Sequence, residues 1–570
     1  MLKMKKNIKK VTALALASTM ALSMAACGGG GEAKSDEAAK DMELTESGYP
    51  IVPEGEDLTL TCFTMSMPNV EDFATNDFTK YLEELTGIHI EFQTGGRDDW
   101  QDKLNMILAS SDYPDIILGV SPDLAKYGVD EQIVIPLDDY LTEDIMPNYM
   151  AMYGDQLDQS READGKIYSL LAENNCYHCE FGRKMWVNTE YLEEMGVEKP
   201  TTTQEFYDVC KKFMEWKPDG IAIAGTSIGE GWYGEFEYFL MGSFLLPPSV
   251  SYTLTKIHDK MNVTWDGEVK CIATDDRYKE FLKYCKSLYD IGAIYDGDFT
   301  QTSEQLKTIV NQADAPVLFL PAGTISDYID SVSNPELYSK FETITPLEGP
   351  DGTRLTSDFK YSLASDGNFC ITEACPNVEA ALRWVDFFYS ETGDLCSQYG
   401  ADEGKDWVLN PEGKYGLNGE PALYEVLNPY SAEPQNHDWQ DVGIRVAPEE
   451  YRLGQAVDQD VDLHSAEGLE KLLFQETQNN YEPYKPTPEN SDLDMLPQLK
   501  VTSDELSEVS TIAVEVEKTI NETSVRFITG QEDIDSGWDS YLDALDKAGL
   551  PTLLNMYQTA YDRQYGDSAE

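Results

Sequence analysis

Two cysteines separated by two residues form the one close cysteine pair in the chain, Cys176-Tyr177-His178-Cys179. Two thiols and an imidazole at this spacing could hold a metal ion or exchange electrons as a disulfide. A structural zinc site needs a second pair of ligands at matching spacing, and none follows. We therefore expect these cysteines to be thiols in a core or hinge. Cys285 falls on the apolar stripe of a helix, which favours burial.

The remaining patterns that could bind metal are weaker. Asp533, Asp535, Gly537 and Asp539 suggest calcium, but their spacing misses the standard loop, and acids are common where a helix starts. His437 has no partner ligand nearby in the sequence. We expect no metal and no cofactor.

The N-terminal half shows alternating strand and helix patterns. Leu58 to Phe63 and Ile88 to Phe92 read as strands, Trp100 to Ala109 as a helix, and Pro114 to Leu118 as a third strand. An amphipathic helix ending at Gly87 joins the first two strands. This order predicts an α/β fold with a parallel sheet and right-handed crossovers.

The pattern restarts further along the chain. Strands are predicted at 184–188, 221–224, 316–320 and 368–372, with helices at 202–213 and 278–289 between them and a helix at 380–389 after the last strand. The last hundred residues are mostly helical. Thr502 and Glu505 form a capping box that opens a long helix ending at Gly530, and two helices follow near 536–547 and 551–565.

The N-terminus reads as an export signal. Five lysines precede a short apolar stretch from Val11 to Leu22, and Met24-Ala25-Ala26-Cys27 is similar to the bacterial lipobox. This pattern predicts a signal peptide over residues 1–26 and lipidation of Cys27. Residues 27–50 are rich in Gly and small polar residues, which predicts a flexible tether. The chain would then sit at the extracellular face of the cell membrane, held there by lipid.

The acidic composition excludes some partners. The formal net charge is −62, with 104 acidic against 42 basic residues. Nucleic-acid binding rests on phosphate neutralisation, so DNA and RNA are excluded as partners. The same charge disfavours a polyanionic ligand.

An ordered set of short motifs then carries a family resemblance. It includes Thr86-Gly87-Ile88, Tyr113-Pro114-Asp115, Asp164-Gly165-Lys166, Arg526-Phe527-Ile528 and Ala560-Tyr561-Asp562. In this order the set resembles an extracellular solute-binding lipoprotein of a bacterial ABC importer. Its nearest type is the long oligosaccharide-binding one, within the superfamily of maltose-binding proteins. The resemblance spans roughly residues 55 to 565.

The resemblance implies a two-lobed α/β fold of the type II periplasmic-binding class with a helical C-terminal region. It places lobe one at 55–172 and 314–370, and lobe two at 180–310 and 375–500, with helices 501–570 packed on lobe two. A carbohydrate, most simply an oligosaccharide, would bind between the lobes at the carboxyl ends of the strands. A monomeric chain would deliver it to the transmembrane subunits of an ABC permease, with no catalytic residues required.

Loops after the strands supply the candidate ligand contacts. Sugars present apolar C–H faces, which suit aromatic rings, and paired hydroxyls, which suit planar polar groups. Trp232 is the best platform because glycines flank its loop, whereas Trp186, inside a strand, should pack in the core. The candidates are Ser66, Asn69, Arg97, Asp98, Trp100, Ser121, Asp123, Trp232, Tyr233, Glu235, Gly323, Asp406, Trp407 and Trp439.

Two other functions stay open at this point. The chain could bind a peptide or another non-sugar solute, since the aromatic candidates favour sugar only modestly. It could also be an anchored secreted glycosidase, which needs two carboxylates about 5–9 Å apart in a cleft. Among 104 acidic residues some pair always looks suitable, and the chain has no HExxH, GxSxG or Walker motif.

Overall fold

The computed structural model describes most of the chain, with short gaps. The described residues are 39–40, 42–67, 69–96, 99–247, 260–312, 316–331, 333–361, 369–428, 434–440, 442–465 and 467–566. The signal peptide, Cys27, most of the tether, Arg97 and Asp98 lie outside them.

Strands and helices alternate along most of the described chain. The strands are β1 Leu58–Met65, β2 Ile88–Gly95, β3 Ile116–Leu118, β4 Glu173–Asn174, β5 Met185–Asn188, β6 Ile221–Ile223, β7 Met261–Thr264, β8 Val269–Cys271, β9 Val317–Pro321, β10 Phe341–Ile344, β11 Phe369–Ile371, β12 Trp407–Leu409, β13 Tyr415–Gly416, β14 Tyr424–Val426, β15 Val446–Ala447, β16 Ala456–Val457 and β17 Leu493–Met495. The α-helices are α1 Asp77–Thr86, α2 Trp100–Ala109, α3 Pro147–Tyr153, α4 Tyr177–Glu180, α5 Thr189–Met195, α6 Thr203–Trp216, α7 Phe236–Met241, α8 Asp276–Asp290, α9 Ser303–Val310, α10 Pro335–Tyr338, α11 Val378–Val385, α12 Gly393–Tyr399, α13 Glu449–Leu453, α14 Leu469–Glu476, α15 Ser503–Ile528, α16 Ile534–Ala548 and α17 Leu550–Tyr565. Short 3₁₀ or π turns cover Ala125–Asp130, Gly154–Ser160, Ile272–Thr274, Asp296–Phe299, Ile325–Asp327, Asp386–Tyr389, Thr477–Tyr481 and Glu482–Tyr484.

The first lobe is built on a sheet of order β11-β3-β1-β2. Strands β1, β2 and β3 run parallel, and β11 is antiparallel to β3. Asn76 caps α1 by accepting from the Phe78 amide, and Gly87 ends it in a left-handed conformation. These local signals turn the chain from β1 through α1 into β2, as the sequence predicts.

The second lobe has a sheet of order β10-β5-β9-β6. Strand β9 runs parallel to β6 and antiparallel to β5. The expectation that residues 314–370 belong to lobe one is therefore wrong for β9 and β10. Every residue of β9 is buried, so its apolar run carries no mark of which sheet it enters.

Residues that follow β11 return to the first lobe. Helix α11 packs its Trp384 into the same core as Phe78, and β15 pairs with β4. The expected placement of 375–500 in lobe two is thus corrected for residues up to about β15. Leu472 and Leu473 of α14 lie in a core of the second lobe.

The chain passes between the lobes three times in the described residues. It leaves the first lobe after β4, returns between β10 and β11, and leaves again between β15 and α14. Such repeated crossing ties both lobes to one hinge and permits closure by a small rotation.

Of the three C-terminal helices, α15 and α16 pack on α8, while α17 packs on α15, α16 and β8, and all three share the largest core of the second lobe. Thr502 and Glu505 form the expected capping box at the start of α15. Just before it, Lys500 Nζ lies 2.6 Å from Glu162 Oε1 of the first lobe, and both side chains are buried. The lobes therefore meet through a buried ion pair as well as through the hinge.

Candidate functional site

The carboxyl ends of β1, β2 and β3 form one edge of the first lobe, because the three strands are parallel. Ser66 follows β1, and its amide donates to the Gly95 carbonyl at 2.8 Å. The loops after β1 and β2 therefore touch, and the polar residues that begin them share this edge.

Ser66, Trp100, Ser121 and Asp123 are partly exposed at this edge. A carboxylate oxygen of Asp123 accepts from the Lys126 amide at 3.0 Å, so it also starts the turn Ala125–Asp130. The structure thus brings these four sequence candidates to one face. Arg97 and Asp98, in the same loop as Trp100, lie outside the described residues.

Asn69 is placed differently. Its side chain is buried, and its amide nitrogen donates to the Gln440 side chain. This bond ties the loop after β1 to the segment around residue 440, which gives Asn69 a structural role rather than a free surface.

The matching edge of the second lobe lies at the carboxyl ends of β6 and β9. The Ala322 amide donates to the Lys184 carbonyl at 3.1 Å, and the Ala224 amide donates to Phe319. The residues before β5 and the loops after β6 and β9 therefore converge on one spot.

A loop that folds on itself presents Trp232 at this edge. The Thr226 amide donates to the Gly234 carbonyl at 2.8 Å, and the Gly229 amide donates to the Glu235 carboxylate at 3.0 Å. Tyr233 has a φ of +62°, in the left-handed region that costs a bulky residue free energy. The Trp232 ring stays partly exposed, whereas the neighbouring Tyr233 ring is buried.

The Trp232 indole rests on three neighbours. Gly323 lies beneath it, and the Gly323 amide donates to the Trp232 carbonyl at 3.1 Å. The His178 ring meets the indole edge to face, with centroids 6.1 Å apart, and the Tyr233 ring is 5.2 Å away. A ring held this way, with one part open, is suited to stack on an apolar ligand face.

Charged groups are buried under the loop. Arg183 lies 3.6 Å from the Glu235 carboxylate, and its guanidinium stacks 3.8 Å from the Tyr238 ring and 5.1 Å from Tyr233. Burial, followed by the repulsion of Glu235, raises the pKa of Glu237 to about 8. This arrangement fixes the floor of the platform.

The Cys176 and Cys179 side chains are joined as a disulfide across α4. The expectation of two thiols is wrong for this pair, because one helical turn brings the sulfurs together. The other cysteines in the described residues form no disulfide and are buried, and they include Cys285 as expected.

Three predicted ligand contacts from beyond residue 400 lie in the first-lobe core instead of at the cleft. Trp439 is fully buried among Phe73, Phe78 and Phe92, and Trp407 is 3% exposed. Asp406 is buried and lies 3.0 Å from His437 Nε2. The expectation that Asp406, Trp407 and Trp439 contact ligand is corrected, since all three side chains pack inward.

A cavity of about 310 Å³ borders α4, and Trp232 is not among its lining residues. It is lined from all three crossing segments by Asn175, Tyr177, Glu180, Phe181, Asp358, Lys360, Tyr361, Glu449, Glu482 and Lys485. Burial and then the nearby Glu449 and Asp358 raise the pKa of Glu180 to about 8. Protonation of these carboxylates would reduce the electrostatic repulsion between them in this hinge cavity.

Sequence reasoning missed His178 and Arg183 at the Trp232 platform. From the sequence, His178 is a candidate only as a metal ligand, and Arg183 precedes a buried strand without any motif. The signal in hindsight is Arg183-Lys184 directly before β5, where two buried cations need partners at a strand end. Trp186, inside β5, packs in the core as expected.

A family model described as "Bacterial extracellular solute-binding protein" matches residues 68–394. The chain belongs to this family. The match covers all four strands of the second-lobe sheet and strands β2, β3 and β11 of the first-lobe sheet, so it draws on both lobes. Among the described residues, none of the helices of this solute-binding protein is long and apolar enough to cross a membrane.

Curated relatives match along the length of the chain. A fructooligosaccharide ABC transporter substrate-binding protein, FusA of Streptococcus pneumoniae, is 24% identical over 581 residues, covering 97% of each chain. Lipoprotein LipO of Bacillus subtilis is 23% identical and covers 61% of this solute-binding chain and 67% of its own.

Solved structures share the fold. FusA in complex with kestose aligns with a TM-score of 0.69 at 22% identity, covering 89% of this chain and 100% of that one. An extracellular solute-binding protein from Bifidobacterium longum subsp. infantis aligns with a TM-score of 0.68 at 21% identity, covering 90% and 99%. The two-lobed α/β fold of type II, with its helical C-terminal region, is thereby confirmed.

Proposed function

We propose that this chain captures a neutral oligosaccharide between its lobes and delivers it to the permease of an ABC importer. The observation that carries the proposal is the Trp232 platform, a partly exposed indole held at the carboxyl edge of the second-lobe strands. Ligands of open α/β sheets bind at that edge.

The second-lobe half of the site supplies an aromatic face and fixed polar groups. Trp232 would stack on the C–H face of a sugar ring, with His178 at its edge. Arg183 and Glu235 would hold the platform in place from below, since their side chains are buried and 3.6 Å apart.

The first-lobe half supplies hydroxyl and carboxylate groups. Ser66, Ser121 and Asp123 lie at the carboxyl ends of the parallel strands and stay partly exposed. Such groups bond to sugar hydroxyls. Trp100 lies beside them and adds a second aromatic surface.

The relatives and the net charge of the chain favour a neutral oligosaccharide as the ligand. The relative FusA is described as binding fructooligosaccharide, whereas YtcQ of Bacillus subtilis, 22% identical, is described as binding polygalacturonan or rhamnogalacturonan. Because this chain carries a net charge of −62, a neutral sugar suits it better than an acidic polymer.

The transport role follows from the hinge and the family. Three crossings let the lobes close on the sugar and open again at the permease. The family consists of binding proteins, so we propose that the chain binds its sugar without hydrolysing it, and that it acts as a monomer.

Lipid on Cys27 would hold the chain at the outer face of the membrane. The basic start, the short apolar stretch and the cysteine after Ala25-Ala26 support this part of the proposal. Labelling of the host with a clickable fatty acid should mark the natural chain and not Cys27→Ala. Label on Cys27→Ala would refute anchoring at that residue.

Calorimetric titration of the secreted chain tests the cargo class. We expect a neutral oligosaccharide to bind with 1:1 stoichiometry, while dipeptides, oligopeptides and acidic glycans give no heat. Binding of peptides alone would overturn the proposal. Thin-layer analysis of the sugar after incubation should show it intact.

A pair of variants locates the sugar. Trp232→Ala should weaken binding, whereas Tyr361→Ala, in the cavity that borders α4, should leave it unchanged. The reverse pattern would move the site from the Trp232 platform to the hinge cavity.

A further inference from the structure

Cys176, His178 and Cys179 form a compact set of metal-binding atoms. Their sulfur and ring nitrogen atoms all lie within 4.8 Å of one another. Among the described residues, this is the one group in which three or more His, Cys, Asp or Glu side chains could hold a metal ion together. The Cys179 sulfur is 3.8 Å from either ring nitrogen of His178.

The spacing fits a thiophilic cation. Zinc binds thiolate sulfur at about 2.3 Å and imidazole nitrogen at about 2.0–2.1 Å, so its ligands lie no more than about 4.6 Å apart. Cys176, His178 and Cys179 are already gathered to nearly that separation by one turn of α4. Little rearrangement is needed to surround one ion.

A carboxylate stands next to the cluster. Glu470 Oε2 of α14 lies 3.6 Å from His178 Nε2, and carboxylates near metal-bound imidazoles hold the ring in position. The buried Lys184 ammonium donates to the His178 carbonyl at 2.7 Å, and two thiolates would offset its charge.

The segment beneath the cluster is firmly held. Lys184 Nζ donates to the carbonyls of His178 and Phe181 at 2.7 and 2.8 Å. Cys176 and His178 are 5% and 9% exposed as whole residues. Three donors on a fixed backbone are a preorganised site.

We propose that the reduced Cys176-Tyr177-His178-Cys179 segment binds one zinc-like cation through both thiolates and the His178 imidazole. In the disulfide form the sulfurs are bonded to each other and cannot act as thiolates. A thiol reductant supplies two electrons and two protons, which convert the disulfide to two thiols while the reductant becomes a disulfide. Zn²⁺ then replaces the two thiol protons, which pass to solvent.

The site also touches the proposed sugar platform, because His178 contacts Trp232. The metal proposal nevertheless stands without the sugar, since its readouts need no sugar.

The test is Zn²⁺ titration of the secreted chain against a chromophoric chelator, after reduction and anaerobic removal of the reductant. We expect one high-affinity Zn²⁺ per reduced chain and none per oxidised chain. Equal binding by both forms, or by neither, would overturn the proposal.

Variants assign the ligands. Cys176→Ser with Cys179→Ser should abolish binding, and Glu470→Gln should weaken it about 10- to 100-fold. Cys375→Ser and His89→Gln, at a buried cysteine and a surface histidine elsewhere, are the matched controls and should bind as the natural chain does. Full binding by the double cysteine variant would rule out this site.

Cobalt offers a readout on the natural chain if the double variant fails to fold. Reduced natural chain with Co²⁺ should show thiolate-to-cobalt charge-transfer absorption, and His178→Asn should alter the ligand-field bands. Absence of the charge-transfer absorption would contradict thiolate ligation.

Discussion

The Trp232 indole lies directly over Gly323, so close that a β-carbon on Gly323 would come within 2.3 Å of the indole Cε3. The Gly323 amide also donates to the Trp232 carbonyl. The turn after β9 and the loop after β6 are thus fitted to each other at the edge where we place the sugar.

Gly323→Ala should displace the Trp232 ring and weaken oligosaccharide binding at least tenfold, about 1.4 kcal/mol. Calorimetry measures the loss, with Gly566→Ala as a control because, in the part of the chain that the structure describes, only the Asp562 β-carbon comes near an added β-carbon there, at 3.7 Å. Unchanged affinity would show that the position of the ring does not matter.

Trp439→Ala should behave in the opposite way. The ring is fully buried against Phe73, Phe78 and Phe388, and removing such a ring costs about 3–5 kcal/mol of stability. Urea unfolding should show that loss, while the folded fraction keeps its sugar affinity. A stable variant with impaired binding would return Trp439 to the site.

The Lys500–Glu162 ion pair should favour the closed arrangement of the lobes. Lys500→Met removes this partner of the buried Glu162 carboxylate. Because opening of the lobes exposes that carboxylate to water, the variant should favour the open arrangement. Small-angle scattering of the ligand-free chain should show a larger radius of gyration.

The matched control is Lys405→Met, which removes a surface pair with Asp402. It should leave the radius unchanged. If Lys500→Met lowers the melting temperature with no change in radius, the pair serves stability alone.

Glu237 should make stability depend on pH. Its pKa is about 8 in the folded chain, above its ordinary value of 4.5, so the folded state binds the extra proton between these limits. The stabilisation is present below about pH 4.5 and is lost as pH rises to about 8.

Glu237→Gln should remove this pH-dependent loss of stability, because a glutamine side chain does not titrate. The melting temperature of Glu237→Gln, relative to the natural chain, should rise steadily between pH 5 and pH 8. Glu143→Gln, at an exposed position, should run parallel to the natural chain. A constant difference for Glu237→Gln would contradict the raised pKa.

Much of the fold could be read from the sequence because local signals decide it. The strand at Leu58, the helix stop at Gly87 and the capping box at Thr502 match the structure within a few residues. Periodicity and caps act over a few residues, so a linear reading captures them.

Lobe assignment and buried rings could not be read in the same way. Strand β9 joins the second sheet through pairing with β5, more than a hundred residues earlier in the chain. Trp232 and Trp439 both lie in polar, aromatic segments, and only packing separates the partly exposed ring from the buried one.

The most direct measurement of the central claim is the dissociation constant of the neutral oligosaccharide for the natural chain and for Trp232→Ala. We predict at least a tenfold weaker complex for Trp232→Ala, about 1.4 kcal/mol, with an unchanged melting temperature of the ligand-free chain. Equal dissociation constants would contradict the account and remove Trp232 from the site.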